Sequence, residues 1–206
     1  MLQGGSVLRE QMDKKIGSSS LNLVDDGTKE GLYGWVPVDD EGVLGQRTVL
    51  IQNGVLKNFL HSRETAARMN ALPTGNGRGE ALGCPVIPRM RCTYIENGDS
   101  SFEEMLKEMK NGYYLKGTAG GEVNPASGEF LFNAQYGFSV EKGELKEMVK
   151  GVSLNGLMLK TLPEIELIAK DIFFSQGTCG KSGQGVPVSD GAPHMLLKEV
   201  RVGGQQ

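Results

Sequence analysis

The chain has 206 residues, of which 38% are apolar and 23% charged, and such a composition is typical of a soluble globular protein. Its formal net charge of -3 excludes no fold, but it disfavours direct binding to nucleic acid or to an anionic membrane, because both require a basic face. No apolar run reaches the roughly 18 residues of a membrane span. We expect a single domain over residues 1–206, with residues 1–18 as a flexible arm.

The first half of the chain alternates apolar segments with turn residues, which predicts short strands. Asp25-Asp26-Gly27 and the acidic run 39–42 are expected to be turns. Asn53-Gly54 lies between two apolar runs and predicts a type I′ hairpin, because both residues tolerate a positive φ. Strands are predicted over residues 20–24, 36–38, 48–52, 55–60 and 90–95, with a short helix over 62–70 and a loop over 72–79.

The clearest helix signal covers residues 100–112. Ser100 and Glu103 have the spacing of a capping box, and Asn111-Gly112 is expected to stop the helix. A second helix is predicted over residues 153–168, bent near Pro163. Further strands are predicted over 129–133, 136–141, 144–149 and 194–202. The pattern predicts an α+β fold: a mostly antiparallel, barrel-like β-sheet domain with two or three helices.

Three tempting sites are better explained as ordinary turns. The glycine-rich segments 116–122 and 180–183 lack the spacing of a phosphate-binding loop. The acidic run 39–41 lacks the spacing of a calcium loop, and charge runs of this kind are usually solvated turns.

Cys179 lies in the glycine-rich run 177–185, on backbone that can approach a ligand closely. The two histidines, His61 and His194, are far apart in the sequence and lack a helical metal-binding spacing. Either could serve as the base of a Cys–His nucleophilic pair with Cys179, although surface positions at strand ends explain both histidines more simply. Cys84 and Cys92 have more apolar neighbours and are expected to be packed thiols.

The number and context of these residues also predict a compartment. Three cysteines are an odd number and do not suggest a disulfide framework. Residues 1–6 contain neither a basic leader nor an apolar core, so no secretory signal is predicted. We therefore expect a cytoplasmic protein.

Three groups of strings, in order along nearly the whole chain, resemble the C-terminal half of the TldD/PmbA family, whose members are long labelled modulators of DNA gyrase and are understood as metallopeptidases. Asp40-Glu41-Gly42 and the context of Cys179 resemble the catalytic TldD branch more than its sister branch. The strings are 24–28 with 38–46 and 50–57, then 73–78 with 88–90, and finally 179–184 with Pro187 and 202–204.

The resemblance implies a zinc site of which this chain carries one part. In the family, a helix with the motif His-Glu-x-x-x-His supplies the histidine ligands and the general base, and a cysteine near the C-terminus completes the site. Only that cysteine has a counterpart here, Cys179. Catalytic zinc typically needs three protein ligands, so this chain is not expected to bind zinc or to be active alone, and no catalytic residue is assigned to it.

Further expectations follow from the resemblance. A loop is expected to line the substrate cleft, and the substrate is expected to be an unstructured peptide that pairs with a sheet. The chain is expected to form a homodimer or to pair with a sister subunit. An alternative, non-catalytic role is that of an interaction scaffold in such a complex. The loop residues are Thr74, Gly75, Asn76, Gly77 and Arg78.

Overall fold

A computed structural model describes residues 5–204 and confirms an α+β fold made mainly of antiparallel sheets. The described sheets are open, and none closes into a barrel. The helices are α1 (Arg63–Met69), α2 (Phe102–Met109) and α3 (Met158–Thr161), the last continued by a 3-10 turn over Leu162–Glu164. No helix in this part of the chain combines the length and apolar character needed to cross a bilayer.

The strands are short except for one long hairpin near the C-terminus. They are β1 (Leu23–Asp26), β2 (Arg47–Gln52), β3 (Val55–Leu56), β4 (Gly77–Arg78), β5 (Ile87–Pro88), β6 (Cys92–Ile95), β7 (Asn111–Lys116), β8 (Gly121–Val123), β9 (Glu129–Asn133), β10 (Tyr136–Glu141), β11 (Glu144–Val149), β12 (Val152–Leu157), β13 (Ile165–Ile168), β14 (Phe173–Lys181), β15 (Gln184–Ala192), β16 (Met195–Leu197) and β17 (Arg201–Gly204).

The largest sheet has six strands in the order β14-β15-β6-β1-β2-β3. Its neighbours pair antiparallel except β15 and β6, which run parallel. β14 is an edge strand, so one side of its backbone carries no sheet partner among residues 5–204. The other sheets have the orders β11-β10-β7, β17-β12-β9-β8, β13-β16 and β4-β5.

The predicted Asn53-Gly54 hairpin is confirmed, and a second turn of the same kind connects β10 to β11. Asn53 and Gly54 have φ of 50° and 78°, and Lys142 and Gly143 have φ of 53° and 78°, as a type I′ turn requires. At Gly54 the close approach of the Gly17 carbonyl also leaves no room for a Cβ. The predicted strands over 129–133, 136–141 and 144–149 are confirmed with the same bounds.

Two of the three predicted helices are present, but the capping box predicted for the second is wrong by one residue. Ser62 caps α1 through Thr65. For α2 the capping box consists of Ser101 and Glu104, one residue after the predicted pair. The shift arises because Ser100 is engaged in backbone pairing: its N–H donates to Ile168 at 3.2 Å.

Several expectations about secondary structure are wrong. No strand forms over 36–38, where Val38 makes only an isolated bridge to Leu44. Asn111 and Gly112 begin β7 instead of ending α2, whose C-cap is Lys110. Residues 153–168 form β12, α3, the 3-10 turn and β13 instead of one helix, because β12 is needed between β9 and β17. Asp25 and Asp26 continue β1 instead of ending it. The strand predicted over 194–202 is divided into β16 and β17.

The main core packs the beginning of the chain against the large sheet and the β13 segment. Its buried residues are Ile16, Leu21, Ile51, Leu56, Phe59, Ile165 and Ile168. Ile16 belongs to the segment predicted as an arm, and its N–H donates to the Gly54 carbonyl at 2.8 Å. This part of the predicted arm is therefore packed, whereas residues 1–4 lie outside the described part.

Candidate functional site

Cys179 lies near the tip of the β14–β15 hairpin, directly opposite Val186. The turn at the tip is formed by Ser182 and Gly183, which have φ of 53° and 73°. Gly177, Gly180 and Gly185 lie within the paired strands, and Gly183 lies in the turn between them. The thiol is therefore half-buried on an edge strand.

The tip of the hairpin is fastened to the segment that leads from β4 to β6. Gln184 accepts from the N–H of Glu80 and donates to the carbonyl of Pro85, both at 3.0 Å. The Lys181 ammonium donates to the carbonyl of Pro88 at 3.0 Å. Burial lowers the pKa of Lys181, and the nearby Cys179 sulfur acts in the opposite sense without reversing the shift.

Two buried arginines reinforce this attachment. Arg89 donates through Nη2 to the carbonyls of Cys179 and Gln184, the latter at 3.0 Å. Arg78 donates through Nη1 to the carbonyls of Met90 and Pro187, each at 2.8 Å. Burial is the main cause that lowers the pKa of Arg78. The backbone around Cys179 is thus held by hydrogen bonds from the buried guanidinium groups of Arg78 and Arg89.

A buried polar network connects Arg89 to the centre of the large sheet. Asn76 donates through Nδ2 to Asp25 Oδ1 at 2.8 Å and to the carbonyl of Arg89 at 3.0 Å. The other Asp25 oxygen accepts from the Arg91 N–H at 2.9 Å and from the Thr93 hydroxyl at 2.6 Å. All three bonds to this carboxylate come from segments distant in sequence, so Asp25 joins β1 to β6 and to the loop before β4.

The neighbouring Asp26 accepts hydrogen bonds from the turn that follows β1 and from β6. It accepts from the Thr28 N–H at 3.0 Å, the Thr28 hydroxyl at 2.6 Å and the Tyr94 hydroxyl at 3.0 Å. Burial acts to raise the pKa of Asp26, but these hydrogen bonds and nearby Lys29 outweigh it, so the pKa lies below its usual value.

The loop predicted to line the substrate cleft turns several groups inward. Asn76 is 1% exposed and Arg78 is 6% exposed, and the side chains of both residues donate hydrogen bonds within the protein. Thr74 accepts from the His61 N–H at 2.7 Å, and the Gly77 N–H donates to Asp39 at 2.9 Å. Gly75 has φ of 73°, and a Cβ at this position would overlap the Leu44 carbonyl oxygen. Contact of this loop with a substrate stays a prediction.

The acidic run is more ordered than the solvated turn expected from the sequence. Asp39 is 4% exposed, and its carboxylate accepts from the N–H groups of Glu41, Val43 and Gly77 at 2.9–3.0 Å. Asp39 therefore fixes the loop of Gly77 rather than facing solvent.

His61 is buried, contrary to its expected surface position, whereas His194 lies just before β16 with a partly exposed side chain; neither forms a hydrogen bond with Cys179 among the described residues. His61 is 5% exposed, contacts Thr65 at 3.2 Å through Nδ1, and has a pKa lowered by burial. His194 is half-buried, and both ring nitrogens are engaged, Nδ1 with Asp171 at 2.6 Å and Nε2 with the Tyr114 hydroxyl at 2.8 Å. A Cys–His nucleophilic pair is therefore not formed.

The other two thiols differ from each other. Cys92 is fully buried in β6, and burial raises its pKa to about 11, so the prediction of a packed thiol is confirmed there. Cys84 is half-buried.

The described residues do not form a complete metal centre. Within 5–204, no three His, Cys, Asp or Glu side chains converge on one point. Cys179 offers one sulfur donor, its carbonyl accepts from the Arg89 guanidinium, and the Lys181 ammonium lies on the same strand. The donor set fits one corner of a zinc site and not the whole of it.

Comparison with known proteins identifies one family over nearly the whole chain. A family model described as the PmbA/TldA metallopeptidase C-terminal domain matches residues 1–204. A metalloprotease of Methanocaldococcus jannaschii is 47% identical over 93% of this chain, and a zinc metalloprotease TldD homologue of Saccharolobus solfataricus is 40% identical over 93%. The chain covers only 42% and 43% of these two proteins.

Two solved structures share the fold. A proposed modulator of a DNA gyrase from Thermotoga maritima superposes with a TM-score of 0.81 at 30% identity, covering 98% of this chain and 43% of that one. TldE from Thermococcus kodakarensis superposes with a TM-score of 0.77 at 25% identity, covering 99% of this chain and 46% of that one.

Proposed function

This chain belongs to the PmbA/TldD metallopeptidase family, and from that premise we propose that it is the C-terminal domain of a TldD-type zinc metallopeptidase. Its contribution is one metal ligand, Cys179, together with part of the substrate cleft. The chain spans less than half the length of the curated relatives that it matches. The activity is therefore proposed for the complete site and not for this domain alone.

The observation that carries the proposal is the attachment of the Cys179 backbone. A half-buried cysteine on an edge strand ordinarily folds without a buried cation that donates to its backbone carbonyl. Here Arg89 and Gln184 fix the hairpin tip from inside the protein. Such immobilisation suits a metal ligand, since a ligand must be held near its productive geometry by surrounding contacts.

The remaining ligands have to come from another polypeptide segment. A catalytic zinc typically has three protein ligands and an open position, and residues 5–204 bring one donor to the hairpin tip. The histidine helix that the family resemblance implies would supply the others. We expect this chain alone neither to bind zinc stoichiometrically nor to cleave peptides.

The proposed substrate is an extended, unstructured peptide. The outer edge of β14 carries no strand partner within the described chain, and Cys179 is a residue of this strand. Strand addition to such an edge uses main-chain hydrogen bonds and therefore accepts many sequences. The loop 74–78 contacts the same hairpin through Arg78, and in this proposal it forms a neighbouring wall of the cleft.

A second candidate role is that of a non-catalytic scaffold in a homodimer or in a pair with a sister subunit. It is favoured by large apolar side chains on the surface, such as Phe173 at 75% exposure and Met148 at 66%. The structural similarity to TldE supports the sister-subunit form of this role. We propose a cytoplasmic location for either role, without direct binding to nucleic acid.

Zinc binding separates the two roles. The purified chain is mixed with zinc, with and without a polypeptide that carries the His-Glu-x-x-x-His helix, and bound metal is counted after dialysis. For the metallopeptidase role, zinc is retained only in the mixture and is lost with Cys179→Ala but kept with Cys84→Ala, the matched half-buried thiol. Equal retention by both variants would refute the role of Cys179 as a ligand.

A further inference from the structure

We propose that Arg89 is the positioning residue of Cys179: its buried guanidinium fixes the backbone that carries the thiol. This inference rests on the proposed function for its purpose, but the contacts on which it depends involve only residues of this chain. It assigns a role to a residue that the sequence analysis included only as part of the string 88–90.

The first argument is the geometry of the donor. One nitrogen of Arg89, Nη2, donates to carbonyls on both strands of the hairpin, Cys179 on β14 and Gln184 on β15. These carbonyls lie on the two sides of the turn: Gln184 belongs to the last pair of the hairpin, with Lys181, and Cys179 lies two residues before Lys181. Removing this donor releases both strands at once, at the level of the thiol.

The second argument is that Arg89 is itself held rigidly. Its N–H donates to the Asn76 carbonyl at 2.8 Å, and its own carbonyl accepts from Asn76 Nδ2 at 3.0 Å. The same Asn76 amide donates to Asp25 in the centre of the large sheet. The thiol is thus connected to the most buried part of the sheet through three consecutive polar contacts.

The third argument is energetic. Arg89 is 1% exposed, and among the ion pairs of the described residues none includes it. Its Nε and Nη1 also lack a protein partner. A buried cation without a carboxylate is costly, and an apolar side chain at the same place would usually stabilise a fold more. The cost is explained if the donor is retained to hold Cys179.

Arg91 provides a matched control. It is equally buried, at 0% exposure, and it also donates to a carbonyl, that of Gly75 at 2.9 Å. Its side chain makes no recorded hydrogen bond to the hairpin tip. Arg91→Lys and Arg89→Lys therefore remove the same chemical group, but only the second releases Cys179, because lysine lacks the planar fork of donors.

The experiment measures the hairpin and the thiol separately in the 206-residue chain without metal. Amide hydrogen exchange over 177–187 reports the hold on the tip. Cysteine labelled with 13C at Cβ gives one NMR signal for each of the three cysteines, and Cys179→Ser assigns the relevant one. Cys92, fully buried beside Arg91, reports disturbance elsewhere.

For Arg89→Lys we expect exchange at the tip to become at least roughly tenfold faster, because the charge-assisted hydrogen bonds to the carbonyls of Cys179 and Gln184 are lost. The Cys179 signal should broaden or move while the Cys92 signal stays in place. Arg91→Lys should give the reverse pattern. Equal changes at both cysteines, or no change at Cys179, would overturn the proposal and leave Arg89 as a general structural residue.

Two further outcomes keep the proposals separable. If Arg89→Lys does not fold, amide exchange is measured in the wild type alone. Exchange at 177–187 should then be as slow as in β6. Exchange roughly a hundredfold faster than in β6 would show that Arg89 does not hold the tip. If the Arg89 contrast holds while Cys179→Ala leaves zinc retention intact, the positioning inference stands and the proposed function fails.

Discussion

Replacing Asp25 with asparagine tests whether the buried network carries the fold around the site. The carboxylate is 1% exposed and accepts three hydrogen bonds, from Asn76, Arg91 and Thr93. Asparagine has nearly the same shape, but one of its two terminal groups is a donor. If its oxygen keeps the bonds from Arg91 and Thr93, its NH2 group faces the NH2 group of Asn76.

Asn76 cannot relieve this conflict by rotating its amide. Rotation would point its oxygen at the Arg89 carbonyl, to which Nδ2 now donates at 3.0 Å. Asp25→Asn therefore loses one charge-assisted hydrogen bond, about 1.5–3 kcal/mol, and leaves a buried donor unsatisfied, about 1–3 kcal/mol. The neutral amide recovers part of this because it is easier to bury. We expect a net loss of about 3 kcal/mol in the free energy of unfolding.

Urea denaturation measures this loss. With a slope of about 2 kcal/mol per molar urea, the midpoint should fall by about 1.5 M without a change in slope. Asp13→Asn is the control, because its carboxylate is 72% exposed and pairs only with Lys57 at the surface. That variant should change stability by less than about 1 kcal/mol. A loss below about 1 kcal/mol for Asp25→Asn would refute the reasoning, since it would mean that the network relaxes freely.

Three shorter predictions concern packing and pH. Gly34→Ala should prevent folding or lower the melting temperature by well over about 10 °C, because the added Cβ would overlap the carbonyl of Arg91; Gly180→Ala, with open space at its Cβ, should melt like the wild type. Asp26 has a lowered pKa in the folded state, so its contribution is present above the ordinary carboxyl pKa and is lost as the pH falls through the folded value; the stability difference between wild type and Asp26→Asn should shrink in urea titrations below about pH 4. Met105→Ala removes a methionine that is 4% exposed and should cost about 3 kcal/mol in urea denaturation, and a loss below about 1 kcal/mol would contradict its place in the core.

Local signals predicted those elements whose structure depends on neighbouring residues. Asn53-Gly54 specified its hairpin because the turn geometry is decided by the two residues themselves. The strands over 129–133 and 136–141 follow from alternation, and α2 follows from its apolar spacing, with an error of one residue at the cap. That error came from the distant Ile168, whose carbonyl engages Ser100.

Elements that depend on distant partners were not predictable in this way. The segment 153–168 has an apolar spacing compatible with a helix, and only the demand for a strand between β9 and β17 decides against it. Asp25 and Arg91 look like turn and surface residues, because buried aspartate and arginine are uncommon. The hairpin of β14 and β15 has one local signal in the sequence: Ser182-Gly183, the pair that forms its turn.

The candidate site combines both cases, and the combination has a functional consequence. Cys179 was found through resemblance to a family, whereas the residues that hold it lie 90 positions earlier at Arg89 and further back at Asn76 and Asp25. Substitutions in the loop 74–78 can therefore weaken the site in two ways, by altering contact with the peptide or by releasing the thiol. The two differ in measurement: in a reconstituted complex, Asn76→Ala should lower zinc affinity, while a change that touches only the cleft should raise KM and leave zinc affinity intact. Unchanged zinc affinity in Asn76→Ala would show that the loop acts on the peptide and not through Arg89.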